Sequence, residues 1–253
     1  MSIDFNQAAD SVIIGSWNVG AIQTFTMGLW VYIDAFGTPH ATDARFLSKA
    51  SGTAAANHDW MLGQVNSSGQ KWRVRFAAGG TTDTFVGSST MNAGQWYLAI
   101  CDYDGTNVHL MIDDVTEFDT AHSVGGNMDV TANIINIGNN GTGDNKGPNG
   151  LLAEVFVLSQ LLTPDQKAAL YCGRRITQVG INWAKLEGYW PAHADYIDHS
   201  EIHGIDRDGT PNGTTVGTRE HAPVGRQRRR KQSWAFKAGV APAPVTRRHL
   251  VMY

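Results

Sequence analysis

From its start to about residue 160 the chain exchanges apolar and polar residues at every second position, the period that sends successive side chains to opposite faces of a strand. Phe25, Met27, Leu29, Val31 and Ile33 make one face of such a segment, and Thr24, Thr26, Gly28, Trp30 and Tyr32 make the other. Trp72, Val74 and Phe76 interleave with Lys71, Arg73 and Arg75 in the same way. Further strands are predicted at 45–49, 60–64, 84–87, 96–103, 108–113, 134–138 and 152–158. The intervals hold turn formers, as in Asn66-Ser67-Ser68-Gly69 and Asp104-Gly105-Thr106-Asn107. Many short strands joined by polar turns predict an all-β, antiparallel two-sheet sandwich.

One stretch leaves the alternation. Thr163-Pro164-Asp165-Gln166 offers an N-cap threonine, a proline at the first helical position and a glutamine three residues after the cap. Ala168 to Tyr171 follow and Gly173 can close the turn, so a short helix is predicted. After Arg175 the pattern loosens. Residues 186–191 read as one more strand, stopped by Pro191, and residues 195–218 are rich in Asp, His and Gly. From Pro223 the composition changes to a basic run, Arg226-Gln227-Arg228-Arg229-Arg230-Lys231, and a stiff Ala241-Pro242-Ala243-Pro244 segment. The chain therefore divides into a sandwich over residues 1–222 and an extended, basic, Pro-containing C-terminal arm over residues 223–253.

Composition narrows the classes. With 42% hydrophobic residues, 17% charged residues and 28 glycines among 253 residues, this is a folded, turn-rich chain with enough length to bury a core. A net charge of −3 gives the whole chain no pull toward nucleic acid or membrane. No apolar run approaches a bilayer span, and Met1-Ser2-Ile3-Asp4-Phe5-Asn6 lacks the basic start and apolar stretch of a secretory leader, so the expectation is synthesis in a cytoplasm without secretion. Cys101 and Cys172 are expected as buried free thiols.

Two stretches carry a family resemblance. Trp96 to Asp114 makes a hairpin around Asp104-Gly105-Thr106. Ile137-Gly138-Asn139-Asn140-Gly141, Asn149 to Ser159 and Leu162 to Tyr171 make a strand-helix ending. Together these resemble the concanavalin A-like lectin/glucanase superfamily in its laminin-G-like jelly-roll branch, and the opening strands around Ile3-Asp4-Phe5, Val12 to Gly15 and Phe25 to Val31 fit it as well. The likeness covers about residues 1–175. Gly188-Tyr189-Trp190-Pro191 and the segment from Gly204 to Thr210 look like a strand pair that usually begins such domains. Its late position implies a rearranged order, with a late strand closing the sheet beside the N-terminus. Ending in a basic Pro/Arg arm, the chain is similar to laminin-G-like proteins encoded by tailed bacteriophages.

A glucanase of this fold sets two or three alternating carboxylates on one strand. The matching strand here holds Glu154 alone, so no catalytic residue is expected and Glu154 is read as a structural hydrogen-bonding group. Sugar binding would use aromatic faces: Trp60, Trp72 and Trp30 are candidates for glycan contact, although core placement is the favoured reading. Calcium is the one cofactor that the resemblance makes plausible, with oxygens from Asn139 to Asp144 or Asp206-Arg207-Asp208-Gly209. The spacing of His193, His199 and His203 with Asp195 and Asp198 fits neither a zinc site nor a calcium loop. In the arm, Arg226, Arg228, Arg229, Arg230 and Lys231, with Trp234 and Phe236 as apolar anchors, are the expected partner-binding residues. Docking on another virion subunit, a major capsid protein or a copy of this chain, is preferred to nucleic acid. The leading expectation is thus a non-enzymatic virion structural protein that decorates a capsid. The alternative is a carbohydrate-binding adhesin, associated with tail or capsid, for host-surface glycans.

Overall fold

The computed structural model describes residues 2–16, 22–37, 43–66, 69–140, 145–191, 199, 208–217 and 222–224. In chain order the strands are β1 (Ser2–Phe5), β2 (Ser11–Ser16), β3 (Phe25–Ile33), β4 (Arg45–Ala50), β5 (His58–Asn66), β6 (Gln70–Ala78), β7 (Thr81–Thr90), β8 (Trp96–Tyr103), β9 (Asn107–Ile112), β10 (Val115–Ala121), β11 (Ile134–Ile137), β12 (Gly150–Leu158), β13 (Leu186–Trp190), β14 (Thr210–Asn212) and β15 (Thr215–Gly217). The helix α1 (Pro164–Tyr171) follows β12. Sheet A runs β10-β9-β8-β3-β12-β1-β15, with β13 also paired to β12, and sheet B runs β14-β2-β11-β4-β5-β6-β7. All strand pairs are antiparallel. The expected two-sheet jelly-roll sandwich with one helix is the observed fold.

The alternation decides what each sheet buries. Phe25, Met27, Leu29, Val31 and Ile33 of β3 meet Trp60, Leu62, Trp72, Val74 and Phe76 of sheet B in the central core. Burying each such side chain contributes roughly 1.5–3 kcal/mol relative to leaving it in water. The other face of sheet A is apolar too. Trp30, Leu98, Ile100, Phe156 and Leu158 form a second core with Leu162, Leu170, Ile176, Ile181, Leu186 and Tyr189, so α1 and the chain after it cover that face. Gly28 is required here, because a Cβ at this position would lie 2.3 Å from the Phe156 ring. Ala222, at the end of the sandwich, is buried in this layer, and Val224, at the start of the arm, packs against it.

Local signals hold at the turns. The Thr163 hydroxyl accepts from Gln166 N–H (3.2 Å) and the Gln166 side-chain oxygen accepts from Thr163 N–H (2.9 Å), which completes the expected capping box. Asp104 Oδ1 accepts from Thr106 N–H and Asn107 N–H and shapes the β8–β9 turn. Between β9 and β10, Asp113 (φ 51°) and Asp114 (φ 70°) make a two-residue loop with both residues left-handed, the backbone of a type I′ hairpin turn.

The structure adds to these expectations at three places. Of the late strands, β13 lies on β12, β14 on β2 and β15 on β1, and residues 204–207 of the expected strand pair lie outside the described residues. The late strands therefore do close beside the N-terminal ones, but without β13. Strand β10 was not predicted, because it is an edge strand exposed on most of its length and carries little alternation. Of the two thiols, Cys101 is buried and Cys172 is only half-buried; both are free.

Candidate functional site

Two polar surfaces stand out, one on the outer side of each sheet. On sheet A the β9–β10 hairpin, the residues before α1 and its first turn enclose a cavity of about 380 Å³. Its floor is Asp102 on β8. That carboxylate is buried, accepts from the Thr26 hydroxyl (2.6 Å) and pairs with Lys167 of α1. Its wall is His109 on β9, whose ring nitrogens face Asp104 (3.3 Å) and Asp119 (3.1 Å). Met111, Leu161 and Pro164 add apolar surface, and Asp114 and Thr116 of the hairpin complete the polar rim. Period two explains the set: His109 and Met111 point outward because Val108, Leu110 and Ile112 point into the core. The volume lies in the range of small-ligand sites, and the mixture of hydroxyl partners with apolar patches suits an amphipathic ligand such as a sugar.

On sheet B the outer side is cationic. Arg73 and Arg75 alternate with the core residues Trp72, Val74 and Phe76, and Arg45 lies in one cross-strand row with Gly63 and Arg73. Asp43 Oδ2 lies 3.5 Å from the guanidiniums of both Arg45 and Arg73, and Asp43 Oδ1 is 2.6 Å from Lys146 Nζ. Burial alone would raise the Asp43 carboxyl, but the Lys146 hydrogen bond and the charges of Arg45, Lys146 and Arg73 outweigh it and hold it below its ordinary value. Burial, followed by Arg73, lowers the pKa of the Arg45 guanidinium. His58, placed beside Arg75 (3.2 Å), is pushed down to about 4 by burial and by that cation, so its ring is neutral.

A family model described as the concanavalin A-like lectin/glucanases superfamily, of laminin-G type, matches residues 6–166. The chain belongs to this superfamily. No curated protein matches it in sequence. Among solved structures of the lectin/glucanase fold, a Bacteroides ovatus ATCC 8483 protein provisionally assigned to carbohydrate binding superposes with a TM-score of 0.58 at 15% identity. The match covers 85% of this chain and 59% of that one. The heptameric SAP-like pentraxin of Limulus polyphemus gives 0.52 at 13% identity, covering 67% of this chain and 81% of the pentraxin. Tailspike protein 2 of the Escherichia coli O157:H7 bacteriophage CAB120 gives 0.51 at 14% identity, covering 72% of this chain and 25% of the tailspike. The chain spans about three fifths of the first of these proteins and a quarter of the tailspike.

The aromatic candidates for glycan contact in this lectin-like fold are corrected by their burial. Trp60 is 1% exposed and Trp72 0%, both in the central core, and Trp30 is 1% exposed in the second core. None offers a face to a sugar. Among the described residues, the exposed large aromatic is Trp183, at 47%, which the sequence alone did not single out. Its signal was Asn182, whose side chain accepts from Ala184 N–H and caps a one-turn 3₁₀ helix (Trp183–Lys185). Ser159 N–H donates to Lys185 C=O, so Trp183 and the exposed Leu161 each lie two residues from this hydrogen bond.

Glu154 has the structural role expected of it. It sits at a β-bulge of β12 with φ 51°, buried, and accepts from the Tyr189 hydroxyl. Of the calcium candidates, Asn139 Oδ1 accepts from Asn140 N–H (2.8 Å) and Lys146 N–H (3.3 Å), and residues 141–144, 206 and 207 lie outside the described residues. Among the described residues no three His, Cys, Asp or Glu side chains gather as metal ligands. Asp206, His193, His203, Asp195 and Asp198 lie outside the described residues. So do Arg226, Arg228, Arg229, Arg230, Lys231, Trp234 and Phe236 of the arm.

Proposed function

We propose that this chain is a non-catalytic glycan-binding module of a phage particle, with a saccharide seated in the cavity between α1 and the β9–β10 hairpin. The cavity carries the reading: it joins carboxylates and an imidazole, able to share hydrogens with hydroxyls, to apolar patches that suit the faces of a pyranose ring. The assignment of the Bacteroides neighbour to carbohydrate binding and the phage origin of the tailspike neighbour agree with it. A glycan array probed with the full chain tests it. Saturable binding to a defined saccharide, weakened at least about tenfold by Asp119→Ala or His109→Ala, is the expected outcome. Binding to no glycan, or undiminished binding by both variants, would refute the reading.

The basic arm supports a second function, attachment to the particle. Arg226 to Lys231, followed by Trp234 and Phe236, has the composition of a docking segment for a capsid protein or a second copy of this chain. Particles assembled with a chain ending at residue 222 should lack it, whereas normal occupancy would exclude the arm as the attachment.

A further inference from the structure

Among the described residues, the outer side of sheet B around Asp43 holds more positive than negative charge. Arg45, Arg73, Arg75 and Lys146 bring four cations to one carboxylate, Asp43. No other carboxylate among the described residues pairs with any of them. Arg45 is 1% exposed and Arg73 6%, so these charges are withdrawn from water. The Nε atoms of Arg45, Arg73 and Arg75 are buried and without a hydrogen-bond partner. Buried guanidinium donors left unmade are costly, and a cluster of like charges adds to that cost. Gly63, between Arg45 and Arg73 in the cross-strand row, carries no side chain. A Cβ there would stand 2.3 Å from the Ala44 carbonyl oxygen, so the bulged β4 can lie against β5 only with glycine at this position. Toward β7 the row opens to solvent, because Arg75 is half-buried and its neighbours Thr84 and Val86 are exposed.

We infer that Arg45, Arg73 and Arg75 form an oxyanion site, separate from the cavity on sheet A, that takes the carboxylate or sulfate of an acidic saccharide. Guanidiniums match such groups with paired N–H donors, and Arg75, half-buried where the row opens toward β7, meets the incoming group first. The anion would bring the missing negative charge. The saccharide half of this inference rests on the glycan-binding reading; the anion half does not. The chain's overall charge of −3 sets it against a nucleic acid, which would meet repulsion outside the cluster.

Inorganic sulfate tests the anion half on the full chain by thermal unfolding. Sodium sulfate should raise Tm by at least about 2 °C beyond sodium chloride at equal ionic strength. Arg73→Met and Arg75→Gln should abolish that excess, and without sulfate Arg73→Met should unfold at the same temperature as the wild type or higher. The last readout separates a ligand site from a structural one. If Arg73→Met fails to fold, the cluster is structural and the inference is overturned; Arg75→Gln, on a half-buried side chain, tests the sulfate excess independently. Equal effects of the two salts, or an excess retained by Arg75→Gln, also overturn it. The saccharide half is read with a sulfated hexasaccharide, an oligogalacturonate, a neutral oligosaccharide and a single-stranded oligonucleotide. Binding of an acidic saccharide at least tenfold tighter than the neutral one and the oligonucleotide supports it. Equal or tighter binding of the oligonucleotide contradicts it while leaving the sulfate result standing.

Discussion

The outer faces of the two sheets follow the same alternation and end in opposite chemistry. On sheet A the outward residues Trp30, Leu98, Ile100 and Phe156 are apolar, and the chain returns α1 and its following turns to cover them. On sheet B the outward residues Arg73 and Arg75 are charged, and among the described residues they are balanced by a single carboxylate. An apolar face is satisfied by any well-shaped cover, because hydrophobic burial has no direction. A buried cationic face needs partners of defined position and charge, and here they are too few. One face is therefore finished by the fold itself, and the other is finished by something the fold binds.

Substitutions can break this comparison at either end. Phe156→Ala removes a ring from the second core and should cost about 3–5 kcal/mol in urea unfolding, with no dependence on salt, as a cavity in an apolar layer requires. Asp43→Asn deletes the carboxylate shared by Arg45, Arg73 and Lys146. Allowing for its partial exposure, the loss should be about 1–2 kcal/mol, and it should shrink as salt screens the uncompensated cations. A salt-independent Asp43→Asn effect would mean that the two faces do not differ in kind. An effect of pH is expected as well. His58 titrates near 4 in the fold and near 6.5 when unfolded, so the unfolded chain takes up the proton first. Its contribution is complete above about pH 6.5 and is lost progressively as pH falls toward 4. His58→Gln should flatten that part of the stability curve.

The alternation in the sequence made the sandwich legible because inward parity and strand register carry the same information. Trp72 shares parity with Val74 and Phe76, which is why it is core and not a sugar platform. The helix was legible because its cap is local, held in Thr163 to Gln166. The cavity was not, because His109, Asp119 and Lys167 meet only through the β9–β10 register and the docking of α1. Nor was the arginine cluster: alternation marks Arg73 and Arg75 as outward, but outward residues are normally hydrated, and their burial depends on how Arg45 and Asp43 pack beside them. The bulge at Glu154 escaped for a similar reason, since a left-handed glutamate leaves no mark in a strand of apolar neighbours.

Hydrogen exchange of the full chain, with and without a saccharide selected on the array, tests the central claim most directly. Bound saccharide should slow exchange at the backbone amides of residues 109–119 and 161–167, around the cavity, by at least about tenfold while leaving the central core unchanged. Protection confined to other segments, or none at concentrations that saturate binding, would contradict the assignment of the cavity as the glycan site.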